Sequence, residues 1–302
     1  MEVLSLVGIY ALLMWSYDTF KSLFELCWNL WKERTEGVDY VLRYGKWAVV
    51  TGGSDGIGRQ YSTFFASQGL NVAVLALPDI KLEQVTKEIQ EKYGVEVRKI
   101  AVDFSKGFQM YSFIEENLAD MEIGILVNNV GTAHDPAYID TIDCESHERL
   151  VNVNINGAVM MSRIVLPQMK RRHRGLVINI SSGLAFFPVP AVLMYAASKA
   201  FMLSFSQALH EELRPFGVEC QTVTPCYVKT VLSKDVTRTF LAFTGVDVDN
   251  YGKFLTKTIG RVACTAGYWV HSIMITFGKL FPSDVLCRLS HSCTRSSFPE
   301  II

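Results

Sequence analysis

The stretch WAVVTGGSDGIGRQ, residues 47–60, places a glycine-rich turn directly after an apolar run and directly before a helix-like segment. Its spaced glycines are Gly52, Gly56 and Gly58. Glycines at such positions allow a tight turn, let backbone amides approach a pyrophosphate, and open a helix whose N-terminal dipole favours negative charge. A glycine triplet alone is weak evidence, but its place between a strand and a helix is the required context. The stretch therefore predicts a phosphate-binding turn at the start of an α/β domain.

Outward from this turn, short apolar or β-branched runs alternate with helix-like segments. Six runs predict strands, at residues 47–50, 71–77, 97–102, 123–127, 176–180 and 218–224. Helices are predicted between them, at residues 59–68, 80–93, 111–119, 145–170 and 195–214. Because strands that alternate with long helices form right-handed βαβ crossovers, the pattern predicts an α/β fold with a Rossmann-type, doubly wound parallel sheet.

The chain shows no internal repeat and no low-complexity linker. We therefore expect one dinucleotide-binding catalytic domain over residues 46–232, with residues 233–302 as a substrate-covering and membrane-facing segment of the same domain. A second apolar region, residues 267–281, is interrupted by His271 and Lys279. It predicts a buried or membrane-facing helix beside the substrate entrance.

Composition excludes several other classes. The 302 residues are 49% hydrophobic and 20% charged, which is enough apolar material for a sizeable core, and the formal net charge is −1. Without a long basic block, nucleic acid is not an expected partner, because phosphate neutralisation needs clustered Lys and Arg. The seven Cys never stand in C-x-x-C spacing and the six His form no H-E-x-x-H pair, so we expect reduced thiols and no metal site.

The N-terminal segment VLSLVGIYALLMWSY, residues 3–17, is uncharged and apolar, although it is shorter than the roughly 20 residues of a simple helical span. No positive region precedes it and no small-x-small cleavage site follows it, which argues against a cleaved signal peptide. Apolar residues then recur at helical spacing as far as Trp31, as in an interfacial helix. We predict a membrane-anchor helix and an interfacial helix over residues 1–35. A helix pair docked on a partner subunit or on the domain itself is the alternative.

The stretch YAASK, residues 195–199, pairs a tyrosine with a lysine one helical turn later. A phenol titrates at a pKa of about 10 in water, so a tyrosine that exchanges a proton with a carbonyl at neutral pH needs a stabilised phenolate. Lys199 is expected on the same helix face as Tyr195, where its ammonium could lower the pKa of the phenol and reach a bound ribose hydroxyl. The pair therefore indicates proton-transfer chemistry rather than packing alone.

Three motifs together resemble the short-chain dehydrogenase/reductase family: the T-G-x-x-x-G-x-G turn, NNVG at residues 128–131, and Y-x-x-x-K. They occur in the family's order and span residues 46–232. Further segments, among them NISSG, PVP and GYWVHSI, are most similar to the membrane-bound branch of the family. That branch contains hydroxysteroid dehydrogenases, very-long-chain 3-oxoacyl-CoA reductases and hydroxysteroid dehydrogenase-like proteins.

The resemblance implies a catalytic set of Asn154, Ser182, Tyr195 and Lys199. Ser182 stands thirteen residues before Tyr195, the family's spacing for the serine that hydrogen-bonds the substrate oxygen. Asn154, in VNVNING, matches the asparagine that holds a water in the family's proton relay. Ser181 and Asn152 miss these spacings and are weaker candidates. The implied reaction is hydride transfer from a reduced nicotinamide to a ketone carbon, with Tyr195 donating the proton and Ser182 polarising the oxygen.

The resemblance also implies a set of cofactor contacts in the glycine turn, at the strand ends and on the catalytic helix: Gly52, Ser54, Asp55, Gly56, Ile57, Gly58, Asp103, Asn129, Tyr195, Lys199 and Thr230. Asp103 is expected to meet the adenine, and Thr230 the nicotinamide carboxamide. Asn128 and Gly131 are expected to border the cofactor.

Two departures from the family pattern concern the cofactor. Where the family usually has Pro-Gly, residues 225–226 are Pro-Cys. At the end of the second predicted strand, Ala76 and Leu77 replace the acid of many NAD users and the arginine of the branch's NADPH users. Arg59 and Lys81 are substitutes that could approach a 2'-phosphate. Membership of the branch implies NADPH.

Three functions are compatible with these features. The first is a membrane-anchored, NADPH-dependent reductase for a ketone on a lipophilic substrate, either a long-chain 3-oxoacyl-CoA or a 17-keto steroid. The second is a catalytically weak or inactive dinucleotide-binding scaffold, and the third is an NAD-dependent alcohol dehydrogenase that works in the oxidative direction. The branch implies the endoplasmic reticulum membrane, with the mitochondrion as the alternative. The long helices that begin at residues 145 and 195 resemble those that pair subunits into homodimers.

Residues 231–265 correspond to the segment that covers the substrate in this family. The segment mixes aromatic and charged residues and indicates no particular head group. Its apolar residues, which are either lid packing or substrate contacts, are Phe240, Leu241, Phe243 and Phe254.

Overall fold

The computed structural model describes residues 37–233 and 244–298, together with seven positions before residue 37, at 6, 8–10, 13, 17 and 24. The predicted N-terminal anchor therefore lies almost entirely outside the described residues, as do Phe240, Leu241 and Phe243 of the predicted lid. Within the described part of the chain, no helix is both long enough and apolar enough to cross a bilayer.

A parallel β-sheet forms the centre of the fold. The described strands are β1 Trp47–Thr51, β2 Asn71–Ala76, β3 Val97–Ala101, β4 Ile123–Asn128, β5 Gly175–Ile180, β6 Val218–Val223, β7 Val228–Lys229, β8 Val246–Asp247 and β9 Cys264–Thr265. Seven of them pair in the order β3-β2-β1-β4-β5-β6-β9, and β7 pairs with β8 in a separate small sheet. The order reverses beside β1, which is where ligands bind in open α/β sheets. The predicted Rossmann-type, doubly wound sheet is confirmed.

Helices pack on both faces of the sheet and follow its last strands. In the described residues they are α1 Tyr40–Tyr44, α2 Gly56–Ser67, α3 Ile80–Tyr93, α4 Met110–Leu118, α5 Cys144–Val151, α6 Gly157–Arg172, α7 Leu193–Leu213, α8 Val248–Leu255, α9 Trp269–Gly278 and α10 Ser283–Ser297. Aspartates begin several of them: Asp79 accepts the N–H of Leu82 at 3.0 Å, and Asp143 accepts that of Ser146 at 2.7 Å. Gly94, in the left-handed region, ends α3.

The core consists of two apolar layers, one on each face of the sheet. In β1, Ala48 and Val50 belong to the layer under α2 and α3, whereas Val49 belongs to the layer under α4, α6 and α7. Every residue of β1, β4 and β5 is buried. Strands covered by helices on both faces need apolar residues on both sides, which is why these segments are continuous apolar runs rather than alternating ones.

Two features differ from the pattern predicted from the sequence. Strands β7, β8 and β9 were not predicted, and β9 adds a seventh strand to the central sheet. The single helix predicted over residues 145–170 is instead α5 and α6, joined by a π-helical segment, Asn152–Asn156, in which Gly157 N–H donates to the carbonyl of Asn152. A π-helical turn contains one residue more than an α-helical turn, and such turns often occur at functional sites.

Helix α1 packs at the amino-terminal edge of the sheet. The Tyr44 hydroxyl donates to Glu219 Oε2 at 3.0 Å, and Arg43 pairs with the same carboxylate at 2.7 Å. Glu219 lies near the start of β6, and Gly45 contacts Gly124 near the start of β4. The chain therefore enters the domain at the edge opposite the glycine turn.

Candidate active site

The predicted site residues gather at the carboxyl edge of the sheet. The glycine turn follows β1, Asn129 follows β4, Ser182 follows β5 and Thr230 follows β7. The first turns of α7 bring Tyr195 and Lys199 to the same edge. Because parallel strands end at one edge, residues distant in sequence become neighbours there.

The glycine turn forms a cradle that side chains would fill. Gly52 has a φ of +63° and Gly56 a φ of +53°, both in the left-handed region. A side-chain carbon on Gly52 would lie 2.9 Å from Asn129 Nδ2, and one on Gly58 would lie 2.1 Å from the carbonyl oxygen of Gly52. Helix α2 thus begins in contact with the turn. This cradle fits the close approach of a dinucleotide pyrophosphate to a helix N-terminus.

Asn129 fixes the turn from the neighbouring strand. Its Nδ2 donates to the carbonyl of Thr51 at 2.9 Å and to that of Gly52 at 3.2 Å. In return, Thr51 Oγ1 accepts the backbone N–H groups of Asn129 at 3.0 Å and Val130 at 3.1 Å. The ends of β1 and β4 are therefore held together beneath the cradle.

Asn128 does not bond to the glycine turn. Its side chain is buried, and its Nδ2 donates to Asn179 Oδ1 at 2.8 Å and to Ser162 Oγ at 3.2 Å. These bonds connect β4 to β5 and α6 within the core. Asn129 reaches the turn instead, since successive side chains along a strand point to opposite faces.

An ion pair lies at the mouth of the turn. Asp55 accepts the backbone N–H of Gly56 at 2.7 Å and pairs with Lys81, and both side chains are about half exposed. Partial burial raises the pKa of Asp55, but the bonds from Lys81 and Gly56 hold it below its usual value. Arg59, the other predicted 2'-phosphate ligand, pairs with Glu88 of α3 at 2.5 Å. Of the two basic residues, Lys81 is thus the one bonded to the turn.

The other predicted cofactor residues lie at the same edge. Ser54 is half-buried in the turn, and Ile57 packs against the apolar layer under α2. Asp103 accepts a backbone N–H at 2.9 Å and caps the short helical turn after β3. A side-chain carbon on Gly56 would lie 3.3 Å from Thr230 Cγ2, so the segment after β7 closes over the cradle.

Tyr195 and Lys199 lie one helical turn apart at the start of α7. Lys199 Nζ is 5.6 Å from the centroid of the Tyr195 ring and donates to the carbonyl of Ile180 at 3.1 Å. A side-chain carbon on Gly131 would lie 3.4 Å from this Nζ and 3.7 Å from Asn154 Oδ1. The structure thus brings the lysine and the asparagine together at this glycine, with the tyrosine beside the lysine.

Ser182 completes this group from the end of β5. Its hydroxyl lies close enough to the Tyr195 phenol to lower the pKa of that phenol, accepts the backbone N–H of Leu184 at 3.2 Å and donates to the carbonyl of Pro225 at 3.5 Å. Ser181, the weaker candidate, is engaged elsewhere: its Oγ donates to the carbonyl of Lys199 at 2.6 Å. Ser181 therefore holds α7 against β5, and Ser182 is the serine next to the phenol.

Burial controls the protonation of the tyrosine and the lysine. It raises the pKa of Tyr195 to about 12, although the hydrogen bond with Ser182 acts in the opposite direction. Burial also lowers the pKa of Lys199 to about 8, because a buried ammonium loses its hydration. The expectation that Lys199 lowers the pKa of the phenol is wrong for this structure, in which burial dominates and Tyr195 is neutral at pH 7.

Asn154 lies in the middle of the π-helical segment. Its Oδ1 accepts the backbone N–H of Thr132 at 2.8 Å, and its Nδ2 donates to the Thr132 carbonyl at 2.9 Å and to Ser198 Oγ at 3.0 Å. Asn152 instead donates to a backbone carbonyl of the segment after β3. Of the two asparagines, Asn154 is therefore the one beside Lys199.

Two further residues of the site were missed by the sequence analysis. Ser198 Oγ donates to the carbonyl of Tyr195 at 2.7 Å and accepts from Asn154, so it connects the two. Thr132 holds Asn154 through its backbone alone. Ser198 could have been found only from its place inside the YAASK motif. Thr132 could not have been found, because a residue that acts through its backbone has no side-chain pattern in the sequence.

The cysteines that the structure describes are all free. In the same residues, no group of three or more His, Cys, Asp or Glu side chains is arranged to hold a metal ion.

The fold and the site together define a class of protein, the Rossmann-type oxidoreductases with a tyrosine and a lysine one turn apart on a helix. A profile described as short chain dehydrogenase matches residues 46–240, which is more than half of the chain. The chain belongs to the short-chain dehydrogenase family.

Individual relatives agree with this assignment. The chain is 38% identical over 291 residues to the very-long-chain 3-oxoacyl-CoA reductase of Macaca fascicularis, with 95% of this chain and 90% of the relative covered. It is 37% identical over 293 residues to the inactive hydroxysteroid dehydrogenase-like protein 1 of Pongo abelii, covering 93% of this chain and 86% of the relative. A solved short-chain dehydrogenase from Sphingobium yanoikuyae in complex with NADPH superposes with a TM-score of 0.67 at 26% identity, covering 73% of this chain and 86% of that one.

Proposed function

We propose that this chain reduces the ketone of a long-chain 3-oxoacyl-CoA, with NADPH as the hydride donor. The observation that carries the proposal is the convergence of Tyr195, Lys199, Ser182 and Asn154 beside the glycine cradle. The acyl-CoA substrate is supported by the 38% identity to a protein named for that reaction. A 17-keto steroid is the alternative substrate of the same chemistry.

Tyr195 and Ser182 have different roles in the reduction. NADPH, when bound, supplies the hydride that adds to the carbonyl carbon. The Tyr195 hydroxyl donates its proton to the carbonyl oxygen, and the Ser182 hydroxyl hydrogen-bonds that oxygen as negative charge develops on it. The raised pKa of Tyr195, about 12, keeps the phenol in the protonated form that a proton donor requires. The products are an alcohol and NADP+.

Lys199 and Asn154 restore the proton and hold the cofactor in this proposal. Lys199 binds the nicotinamide ribose, for which Gly131 leaves space beside the ammonium. Its pKa of about 8 lets it give and accept a proton near neutral pH. Asn154 holds a water through which a proton returns to Tyr195.

The residues at and after the end of β2 favour NADPH over NADH, because they lack a carboxylate and include a cation. Ala76 is buried and Leu77 is exposed, so neither offers a carboxylate to a ribose diol. Lys81, bonded to Asp55 at the turn, is the cation available to a 2'-phosphate. The solved relative from Sphingobium yanoikuyae is in complex with NADPH.

The lipophilic substrate is supported by apolar side chains near Ser182. The segment after Ser182 carries Phe186 and Phe187, and α9 packs against it so closely that a side-chain carbon on Gly278 would lie 2.5 Å from the Phe187 ring. Exposed apolar residues continue along α9 and beyond it, at Trp269, Phe277, Leu280 and Phe281. We assign this surface to the acyl chain.

We further propose that the protein is bound to the endoplasmic reticulum membrane through residues 1–35, on the strength of the apolar run at residues 3–17. Flotation of the full chain with liposomes, compared with a chain that begins at residue 36, tests the anchor. A full chain that stays at the bottom of the gradient would contradict it. The stacked, partly exposed pair Phe201 and Phe205 on α7 supports a homodimer, which sedimentation of the shortened chain would test.

A catalytically weak or inactive scaffold is the second candidate. The observation in its favour is the 37% identity to a relative named as inactive. The presence of Ser182, Tyr195 and Lys199 in one group favours the reductase.

NADPH consumption by detergent-solubilised protein distinguishes the two. We expect turnover of 3-oxopalmitoyl-CoA that Tyr195→Phe abolishes while the affinity for NADPH stays within about twofold, because the substitution removes only the proton donor. A 17-keto steroid is assayed in parallel to decide the substrate class. Tight NADPH binding without turnover of either substrate would instead establish the scaffold.

A further inference from the structure

The loop between β6 and β7, residues 224–227, is fixed at both ends and in its middle. At its start, the N–H of Thr224 donates to β9 at 2.8 Å, and at its end the carbonyl of Tyr227 accepts from β8 at 3.2 Å. Between them, the N–H of Cys226 donates to Nδ1 of His271 at 3.3 Å. His271 is thus the only described side chain bonded to the backbone N–H of Cys226.

His271 is buried completely within α9. Its ring centroid lies 5.3 Å from that of Tyr268, edge to face, and 5.8 Å from that of Tyr251. Burial lowers the pKa of His271 to about 4, so the ring is neutral at physiological pH. Because Nδ1 accepts the bond from Cys226, the single ring proton is on Nε2.

The loop held by His271 lies directly against the end of β5. A side-chain carbon on Gly183 would lie 2.6 Å from Cys226 Sγ, so the thiol fills the space that this glycine leaves. The N–H of Gly183 donates to the Pro225 carbonyl at 2.8 Å, and the Ser182 hydroxyl donates to the same oxygen at 3.5 Å. The Pro225 carbonyl therefore orients both residues.

We propose that His271 is a positioning residue for Ser182. By holding the N–H of Cys226, it fixes the Pro225 carbonyl, and this carbonyl holds the Gly183 N–H and so sets the position of the Ser182 backbone. From this position the Ser182 hydroxyl turns its single proton from the Pro225 carbonyl to the substrate oxygen. The inference rests on the proposed function, because it requires Ser182 to polarise the ketone. In this role His271 acts through its bond to the loop and is not a catalytic residue.

Three variants separate positioning from mere packing. His271→Phe keeps an aromatic ring in the buried space and removes the acceptor. His271→Asn places an amide oxygen near the position of Nδ1 and so keeps an acceptor. Tyr251→Phe is the matched control, because it removes a buried hydrogen bond to the carbonyl of Ala266 at 3.0 Å from the same aromatic layer and keeps the bond between the Cys226 N–H and His271.

Each variant is assayed for kcat with 3-oxopalmitoyl-CoA, for the Kd of NADPH and for melting temperature, alone and combined with Ser182→Ala. We expect His271→Phe to lower kcat about tenfold, the equivalent of one hydrogen bond, and to leave the Kd within about twofold. In the Ser182→Ala background it should cause no further loss, since residues that act as one unit are not additive. His271→Asn should restore most of kcat, and Tyr251→Phe should lower only the melting temperature.

Hydrogen exchange of the peptide that contains Cys226 provides a readout that does not depend on turnover. His271→Phe should speed exchange of this amide about tenfold, whereas His271→Asn and Tyr251→Phe should not. Unchanged exchange in His271→Phe, or equal losses of kcat with and without Ser182, would overturn the inference. Full activity of Ser182→Ala would instead remove Ser182 from the proposed function itself, so the two failures are distinguishable.

Discussion

Lys199 lies beside the ring of Tyr195, with Nζ 5.6 Å from the ring centroid, yet it gives its hydrogen bond to the carbonyl of Ile180. The ammonium is therefore held near the phenol without being bonded to it. Burial disfavours the charged form of each side chain, the phenolate of Tyr195 and the ammonium of Lys199, because it removes them from water. This arrangement makes the free energy of unfolding depend on pH in a direction that can be worked out.

Lys199 should make the protein more stable as the pH rises from about 8 to about 10. The lysine loses its proton near pH 8 in the folded chain and near pH 10 in the unfolded chain, so in this window the unfolded chain binds more protons. Relative to Lys199→Met, the free energy of unfolding of the wild type should rise by up to about 1.4 kcal/mol per pH unit. Urea unfolding at pH 7, 8, 9 and 10 measures it.

Below pH 8 both states carry the proton and the difference should be constant. Tyr195 titrates above this window in the folded chain, since its pKa is about 12. Lys87→Met, at an exposed lysine on α3, is the control for the removal of a lysine from the protein surface. Parallel stability curves for the wild type and Lys199→Met would contradict the burial effect.

Lys81→Ala should weaken the binding of NADPH about tenfold and that of NADH hardly at all, because a lost cation–phosphate hydrogen bond affects only the cofactor that has the 2'-phosphate. Fluorescence titration with both cofactors measures the two affinities. Arg59→Ala is the informative comparison, since Arg59 pairs with Glu88 rather than with the turn. Equal losses for NADPH and NADH would remove Lys81 as the determinant.

Gly58→Ala should disrupt the cradle. Its new carbon would lie 2.1 Å from the carbonyl oxygen of Gly52, so α2 must move away from the turn. We expect a loss of about 3 kcal/mol in the free energy of unfolding and of measurable NADPH binding. Gly37→Ala, at an exposed glycine with nothing within 4 Å, should change neither. Denaturant unfolding and cofactor titration measure both quantities, and a stable Gly58→Ala that binds NADPH normally would contradict the close contact.

Asn154→Ala should lower both activity and stability. It removes the partners of the Thr132 N–H and carbonyl and of the Ser198 hydroxyl, which we expect to cost about 2 kcal/mol in the free energy of unfolding. Asn156→Ala, in the same π-helical segment, breaks only a bond to Asn152 and should cost less than about 1 kcal/mol. Thermal unfolding and NADPH consumption report the two effects. Equal destabilisation by both variants would show that Asn154 has no special place in the segment.

The sequence predicts the sheet and its cradle well because both depend on local signals. The helix predicted over residues 80–93 matches α3, which is amphipathic and begins at an aspartate cap. The buried strands are recognisable because each is a continuous apolar run between turns. The order of the motifs then fixes which ends meet at the carboxyl edge.

The remaining features depend on contacts that a local pattern does not contain. Strand β9 has two residues, too few for any periodicity, and it exists because it pairs with Thr222 and Val223 of β6. The π-helical segment is fixed by the bonds of Asn154 to Thr132 and Ser198, which are far apart in sequence. His271 interrupts an apolar run in the sequence, and only the fold shows that it accepts a bond from Cys226.

The π-helical segment Asn152–Asn156 makes the number of residues between α5 and α6 as important as their identity. Loss of any single residue there would allow the two helices to join as one continuous α-helix with its backbone bonds intact. The join would keep the faces of both helices but change the positions of the side chains within the segment, so the bonds of Asn154 to Thr132 and Ser198 would be lost. A one-residue deletion at this place is therefore a short mutational path from an enzyme to a folded protein that binds a nucleotide and catalyses nothing.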